Sequence, residues 1–310
     1  MNSRSGKGSI DRIVRILCLG LSLVTLAPAA SSAAPKSAKA IASLNYRLSE
    51  KLVSVPVRIN GSRVLWFVVD TGARHTVIDS AVARELKLPI ASVDRMTGAG
   101  KGSVQMLHAK NLDVSVGAAT LHVADPWIID LNAPPVSGAR EDGLIGADFF
   151  AKYVVEIDPA KHTIVFYPKQ NFRHAGRGAR LPLYFIDNRM FVNMRLALSN
   201  GVSVKRRVRV DTGSNDAVSD NIVRQSPQHL KSVQGVGLGK PYVDYSGVID
   251  RVQIGPFAIR HSWGASNDNP AVGMEILRRF TLTFDTGRNS LYLEPNSHFN
   301  DLVPAPTRIK

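Results

Sequence analysis

Trp66-Phe67-Val68-Val69-Asp70-Thr71-Gly72 runs an apolar strand straight into an acid on a turn. Val208-Arg209-Val210-Asp211-Thr212-Gly213 repeats the arrangement in the second half of the chain. A carboxylate at the end of a buried strand is costly to desolvate, so it needs a reason to be there. Two such acids, one in each half, point to a pair that meets on an axis between two similar units. Carboxylates held that close cannot both ionise easily and instead share a proton.

The chain repeats itself beyond these turns. Leu144-Ile145-Gly146 is matched by Ala271-Val272-Gly273, Tyr153 by Phe280, Asp158 by Asp285, and Pro168 by Pro295. The offset between Gly146 and Gly273 is 127, whereas between the acids it is 141. The first half is therefore longer between its acid and its glycine, and the turn-rich stretch 132–138 is the expected place for the excess. Upstream, Asn60-Gly61 and Asn200-Gly201 each turn one strand back into the strand that ends in the acid. Strand patterns dominate, and short helices are expected at 80–86, 147–152 and 274–279. Residues 169–180 are polar and basic and read as a linker. Residues 35–48 fit either a short leader or a strand. The expected fold class is all-β and duplicated, with small helices.

The first 34 residues read as a signal peptide. Arg4, Lys7, Arg12 and Arg15 precede an apolar run, and Ala27-Pro28-Ala29-Ala30 begins a tract of small residues. The expectation is export to the periplasm or secretion, with an uncleaved N-terminal anchor as the alternative. Cleavage would remove Cys18, the only cysteine, and with it thiol chemistry and cysteine-based metal sites. The formal charge is +14, of which about +11 remains after residue 34. Such a surface favours peripheral contact with an anionic envelope. Aromatic residues make up 7%, too few for broad nucleic-acid stacking surfaces, so no specific nucleic-acid partner is expected. The eight histidines show no metal-ligand spacing, and His75 reads as a structural or surface residue. A third Asp-Thr-Gly, at 285–287, aligns with Asp158-Pro159-Ala160 and reads as a hairpin turn without a catalytic role.

Phe67-Val68-Val69-Asp70-Thr71-Gly72-Ala73, with Asp142-Gly143-Leu144-Ile145-Gly146-Ala147-Asp148 downstream, resembles the retropepsin-like aspartic proteases. Asp211-Thr212-Gly213-Ser214 with Ala271-Val272-Gly273 resembles a second unit of that kind. The resemblance covers roughly residues 50–295. It implies two pseudo-two-fold-related β-barrel lobes, residues 35–168 and 181–310, in one monomeric chain that is its own pseudo-dimer. It implies that Asp70 and Asp211 activate a water against a peptide bond without a cofactor. Thr71 and Thr212 would bond across the axis, and Gly72 and Gly213 would bring backbone N–H groups to the acids. Flaps at Gly98, Ala99 and Gly100, and at Gly235, Val236 and Gly237, would cover an extended protein or peptide substrate.

The halves differ near the acids. Ser214 stands where the first half has Ala73, so an added hydroxyl bond to its carboxylate is expected. Arg209 stands where the first half has Val68, two residues before the acid and on its strand face. The expectation is that strand twist turns Arg209 to solvent, as for the rest of Lys205-Arg206-Arg207. The competing reading is a non-catalytic envelope protein that keeps the cleft for binding peptides.

Overall fold

The computed structural model describes residues 38–97, 100–133, 140–234, 240–303 and 305–306. The signal-peptide segment lies outside these residues, as do Gly98, Ala99, Gly235, Val236 and Gly237 of the expected flaps and most of the stretch 132–138. Among the described residues no helix is long and apolar enough to cross a membrane. Over the described residues the fold is all-β with three short α-helices, Ser80–Glu85, Ala147–Lys152 and Met274–Leu277, close to their expected places.

In the first half, Leu52–Ile59 turns through Asn60 and Gly61, both at positive φ, into Leu65–Val69. Alternate apolar residues of the first strand, Val53, Val55, Val57 and Ile59, are buried, which fixes its register against the core. Leu65–Val69 pairs in parallel with Gly143–Ile145, which pairs in turn with Val77–Asp79. The path continues through Trp127–Ile129 to Val104–Ala109. The chain then breaks at Asn111, whose φ is +54°, and Leu112–Val116 returns to pair with Leu52–Ile59.

The second half makes the same circuit with one unbroken strand. Arg189–Ala197 pairs with Ser203–Val210, and that strand pairs in parallel with Ala271–Val272. Val218–Ser219 and Phe257–Ala265 follow. The thirteen-residue strand Tyr242–Ile254 closes the ring by pairing with both Phe257–Ala265 and Arg189–Ala197.

A third, six-stranded antiparallel sheet joins the halves. Its order is Ala42–Asn45, Thr163–Pro168, Tyr153–Asp158, Phe280–Asp285, Ser290–Pro295 and Ala179–Pro182. The seam pairs Val155 with Phe284 and Ile157 with Leu282, all buried. Phe150 meets Phe284 edge-on at 5.1 Å beneath it. The segment Ala42–Asn45 is thus a strand, resolving the choice left open for residues 35–48. The expected linker 169–180 is shorter than its reading, since Ala179–Pro182 already pairs in this sheet. It is also anchored, because Phe172 is buried against Tyr167 and His174 stacks on Tyr292 at 4.1 Å. Apolar and aromatic residues inside a basic stretch gave it places to dock. Asp285-Thr286-Gly287 forms the turn between Phe280–Asp285 and Ser290–Pro295, with Asp285 accepting from the Arg288 N–H at 3.1 Å.

Candidate active site

Each acid follows the strand that its parallel neighbour steadies from one side. The Asp70 N–H donates to the Ile145 carbonyl and the Asp211 N–H to the Val272 carbonyl, both at 2.9 Å. Behind the turns, Ala147 N–H donates to Ala73 O at 3.0 Å and Met274 N–H to Ser214 O at 2.8 Å. Gly146 and Gly273 permit this approach. A Cβ on Gly146 would stand 2.2 Å from the His75 carbonyl oxygen, and one on Gly273 2.4 Å from that of Asp216.

The turns lock onto each other through their threonines. Thr71 Oγ1 donates to Val210 O at 2.6 Å and accepts from Thr212 N–H at 3.0 Å. Thr212 Oγ1 donates to Val69 O at 2.6 Å and accepts from Thr71 N–H at 3.0 Å. Both side chains are fully buried, so each hydroxyl has its donor and acceptor roles filled inside the protein.

This interlock sets the acids face to face. A Cβ on Gly72 would lie within 2.8 Å of the Asp211 carboxylate, and a Cβ on Gly213 within 2.6 Å of the Asp70 carboxylate. Only glycine leaves room there. Asp70 Oδ1 accepts from the Gly72 and Ala73 N–H groups at 2.8 and 3.1 Å, and Asp211 Oδ1 from the Gly213 N–H at 3.2 Å. Burial and the charge of Asp211 push the Asp70 carboxyl up to about 7, against the N–H groups of Gly72 and Ala73 and the Arg209 cation, which lower it. Asp216, five residues after Asp211, is also raised, chiefly by burial.

Arg209 corrects the sequence reading. It does not turn to solvent. Its Nη2 and Nε donate to Asp211 Oδ2 at 2.7 and 3.1 Å. The buried acid on the same strand face offers the guanidinium a better partner than water does. Beside it stands Ala271, paired with Arg209 where the first half pairs Leu144 with Val68. The small residue leaves space for the long one. The rest of the basic run does face outward: Arg206 pairs with Asp220 at 3.0 Å and Arg207 lies 3.9 Å over the Tyr184 ring. Ser214 is a second correction. Its hydroxyl accepts from the Asp216 N–H at 3.2 Å instead of reaching the Asp211 carboxylate.

The acids lie in a cleft of about 1570 Å³ lined by both halves. Gly100 lines it, next to Lys101. The hairpins Ile90–Met96/Val104–Ala109 and His229–Gln234/Tyr242–Ile254 flank the expected flap tips. They meet across the cleft: Lys101 N–H donates to Lys240 O at 2.8 Å, and Lys240 N–H donates back at 2.9 Å. His75 packs on Trp127 with ring centroids 4.5 Å apart. Among the described residues no group of three or more His, Cys, Asp or Glu is placed to hold a metal.

Residues 55–149 match the family model described as Aspartyl protease. The match supports the likeness of this stretch to the retropepsin-like aspartyl proteases. No curated protein matches the chain significantly. The aspartyl protease match takes in Asp70, its strand, the first flap hairpin and Gly146, and it ends at Phe149 in the helix behind the turn. Asp211 lies outside it. The second acid is tied to the aspartyl protease region by the threonine interlock and the facing glycines.

Proposed function

We propose that the chain is an aspartic endopeptidase that builds one catalytic site from two retropepsin-like units, with Asp70 and Asp211 as the dyad. The observation that supports this most is the placement of each carboxylate against the opposite turn's glycine, with both threonines exchanging bonds across the same axis. In this reading the shared proton rests on Asp70, whose carboxyl is raised, and the charge rests on Asp211 beside Arg209. Asp211 takes a proton from water as its oxygen attacks the peptide carbonyl carbon. Asp70 gives its proton to the carbonyl oxygen. In the collapse of the resulting tetrahedral diol, Asp211 passes its proton to the leaving amine nitrogen as the C–N bond breaks, and a diol hydroxyl gives its proton back to Asp70, which frees the new carboxyl group and restores the dyad. The substrate lies extended beneath the bridged hairpins, which shield it from solvent.

By the same proposal residues 1–34 direct export, the mature chain acts in the periplasm or outside the cell, and a basic surface holds it near anionic envelope components. One observation favours a second reading, a peptide-binding cleft without catalysis: the Arg209–Asp211 ion pair occupies an oxygen that a catalytic water would use. Incubation of the chain with an unfolded protein separates the two. The endopeptidase yields new amino termini inside the substrate chain. The binding protein yields a stable complex and no new termini.

A further inference from the structure

Arg209 is not the only arginine at the acids. Arg189 opens the strand Arg189–Ala197, which pairs Phe191 with Arg209 and Val192 with Val208. Carried two residues further, that register sets Arg189 opposite Asp211, on the same face. The preceding hairpin turns through Asp187 and Asn188, both at positive φ. Arg74, two residues past Gly72 in the first half, reaches over to Asp187. Arg74, Arg189 and Arg209 all line the cleft together with Asp70 and Asp211.

Their partners do not match their number. Arg209 is taken by Asp211. Arg74 and Arg189 share a single oxygen, Asp187 Oδ2, at 3.1 and 3.6 Å. The Arg189 Nε is buried and has no hydrogen-bond partner among the described residues. Each guanidinium carries five N–H donors in a planar fork suited to a carboxylate. With one proton on the dyad, three cations face Asp187 and one dyad charge, leaving a surplus of one positive charge. Burial and the neighbouring Arg74 and Arg209 cations lower Arg189 against the pull of Asp187 and Asp211, as expected of a cation short of anions.

We infer that Arg189 and Arg74 form an anion-selecting subsite next to the dyad, which takes a carboxylate of the bound peptide. The inference rests on the cleft being a peptide site, as proposed above. The carboxylate has two sources: an Asp or Glu side chain beside the scissile bond, or the peptide's own C-terminus. It meets the part of the Arg189 guanidinium that lines the cleft and offsets the surplus charge.

Binding to the full-length Asp70→Asn chain tests this, with fluorescence anisotropy of labelled peptides as readout. One arm compares peptides that differ by Glu against Gln at single positions. The other compares a free C-terminal acid with its amide. The subsite predicts about tenfold tighter binding for the charged member of one arm, diminishing as NaCl is raised. Arg189→Met should bring that ratio close to one, while Arg189→Lys should retain part of it. Arg74→Met, at a half-exposed side chain, should weaken it as well. Equal binding in both arms, no binding of any peptide, or a ratio that survives both Met variants overturns the inference. Cleavage by the unaltered chain is scored separately. A charge preference in binding without cleavage keeps the subsite and sinks the protease reading, and cleavage without charge preference does the reverse.

Discussion

Asp70 is the catalytic candidate whose carboxyl departs far from its ordinary value. Its carboxyl is raised from 3.8 to about 7 by burial and by Asp211. A raised acid contributes stability while protonated: the share is complete below about pH 4 and is lost as pH rises through about 7. Asp70→Asn carries no such loss, and its amide can still accept from the Gly72 and Ala73 N–H groups. Denaturant midpoints should therefore favour the variant increasingly from pH 4 to pH 8, by on the order of a few kcal/mol at the upper end. A pH-independent difference would show that Asp70 is not raised. Arg209 acts with the opposite sign, favouring the ionised pair. Arg209→Met should move the alkaline limb of the cleavage rate upward, by up to about one pH unit. An unmoved limb would mean that the guanidinium does not reach the dyad in solution. Arg209 was legible as a neighbour of the acid from its spacing on the strand. Its direction was not, because strand twist and a solvated basic run argued the other way. The signal that decides it is the paired exchange of Val68 and Leu144 for Arg209 and Ala271, a long side chain beside a shortened one.

At the scale of elements, the acid turns are held by bonds that the tripeptides themselves encode. Thr71 and Thr212 follow their acids, and the hydroxyls fill four buried partnerships across the axis. Thr71→Ala leaves the Val210 carbonyl and the Thr212 N–H unsatisfied in a dry interior, a cost of about 2–4 kcal/mol. Thr71→Ser keeps both bonds and should cost about 1 kcal/mol for the lost methyl group. Equal losses in the two variants, measured by chemical denaturation, would deny the interlock its weight. The repeated motifs made these turns, the glycines behind them and the three helices readable. The strand break at Asn111 was not readable, since a single residue at positive φ leaves no periodic mark. Nor was the docking of residues 169–178, where apolar residues spaced within a basic stretch lack the repeat that marks a strand.

The whole molecule is stapled by the six-stranded sheet. Three of its strands precede the connecting stretch 169–178 and three follow it, and the two sets lie side by side, each covering the other's edge where Tyr153–Asp158 pairs with Phe280–Asp285. The halves should therefore unfold together. Trp66 and Trp127 report on the first half and Trp263 on the second. Fluorescence of a Trp263→Phe chain and of a Trp66→Phe/Trp127→Phe chain should each give a single transition, with each transition coinciding with that of circular dichroism on the same chain. Separated transitions would make the halves independent and the sheet a weak joint. Such independence would matter to the site as well, because the facing of Asp70 and Asp211 depends on both halves holding still.

Hydrolysis by a dyad drawn from both halves is tested most directly by assaying one unfolded protein substrate with equal amounts of the unaltered chain, Asp70→Asn and Asp211→Asn, all shown folded by circular dichroism. The account predicts cleavage by the unaltered chain and a loss of at least about a thousandfold in each variant. Cleavage that survives either substitution at a comparable rate would contradict it.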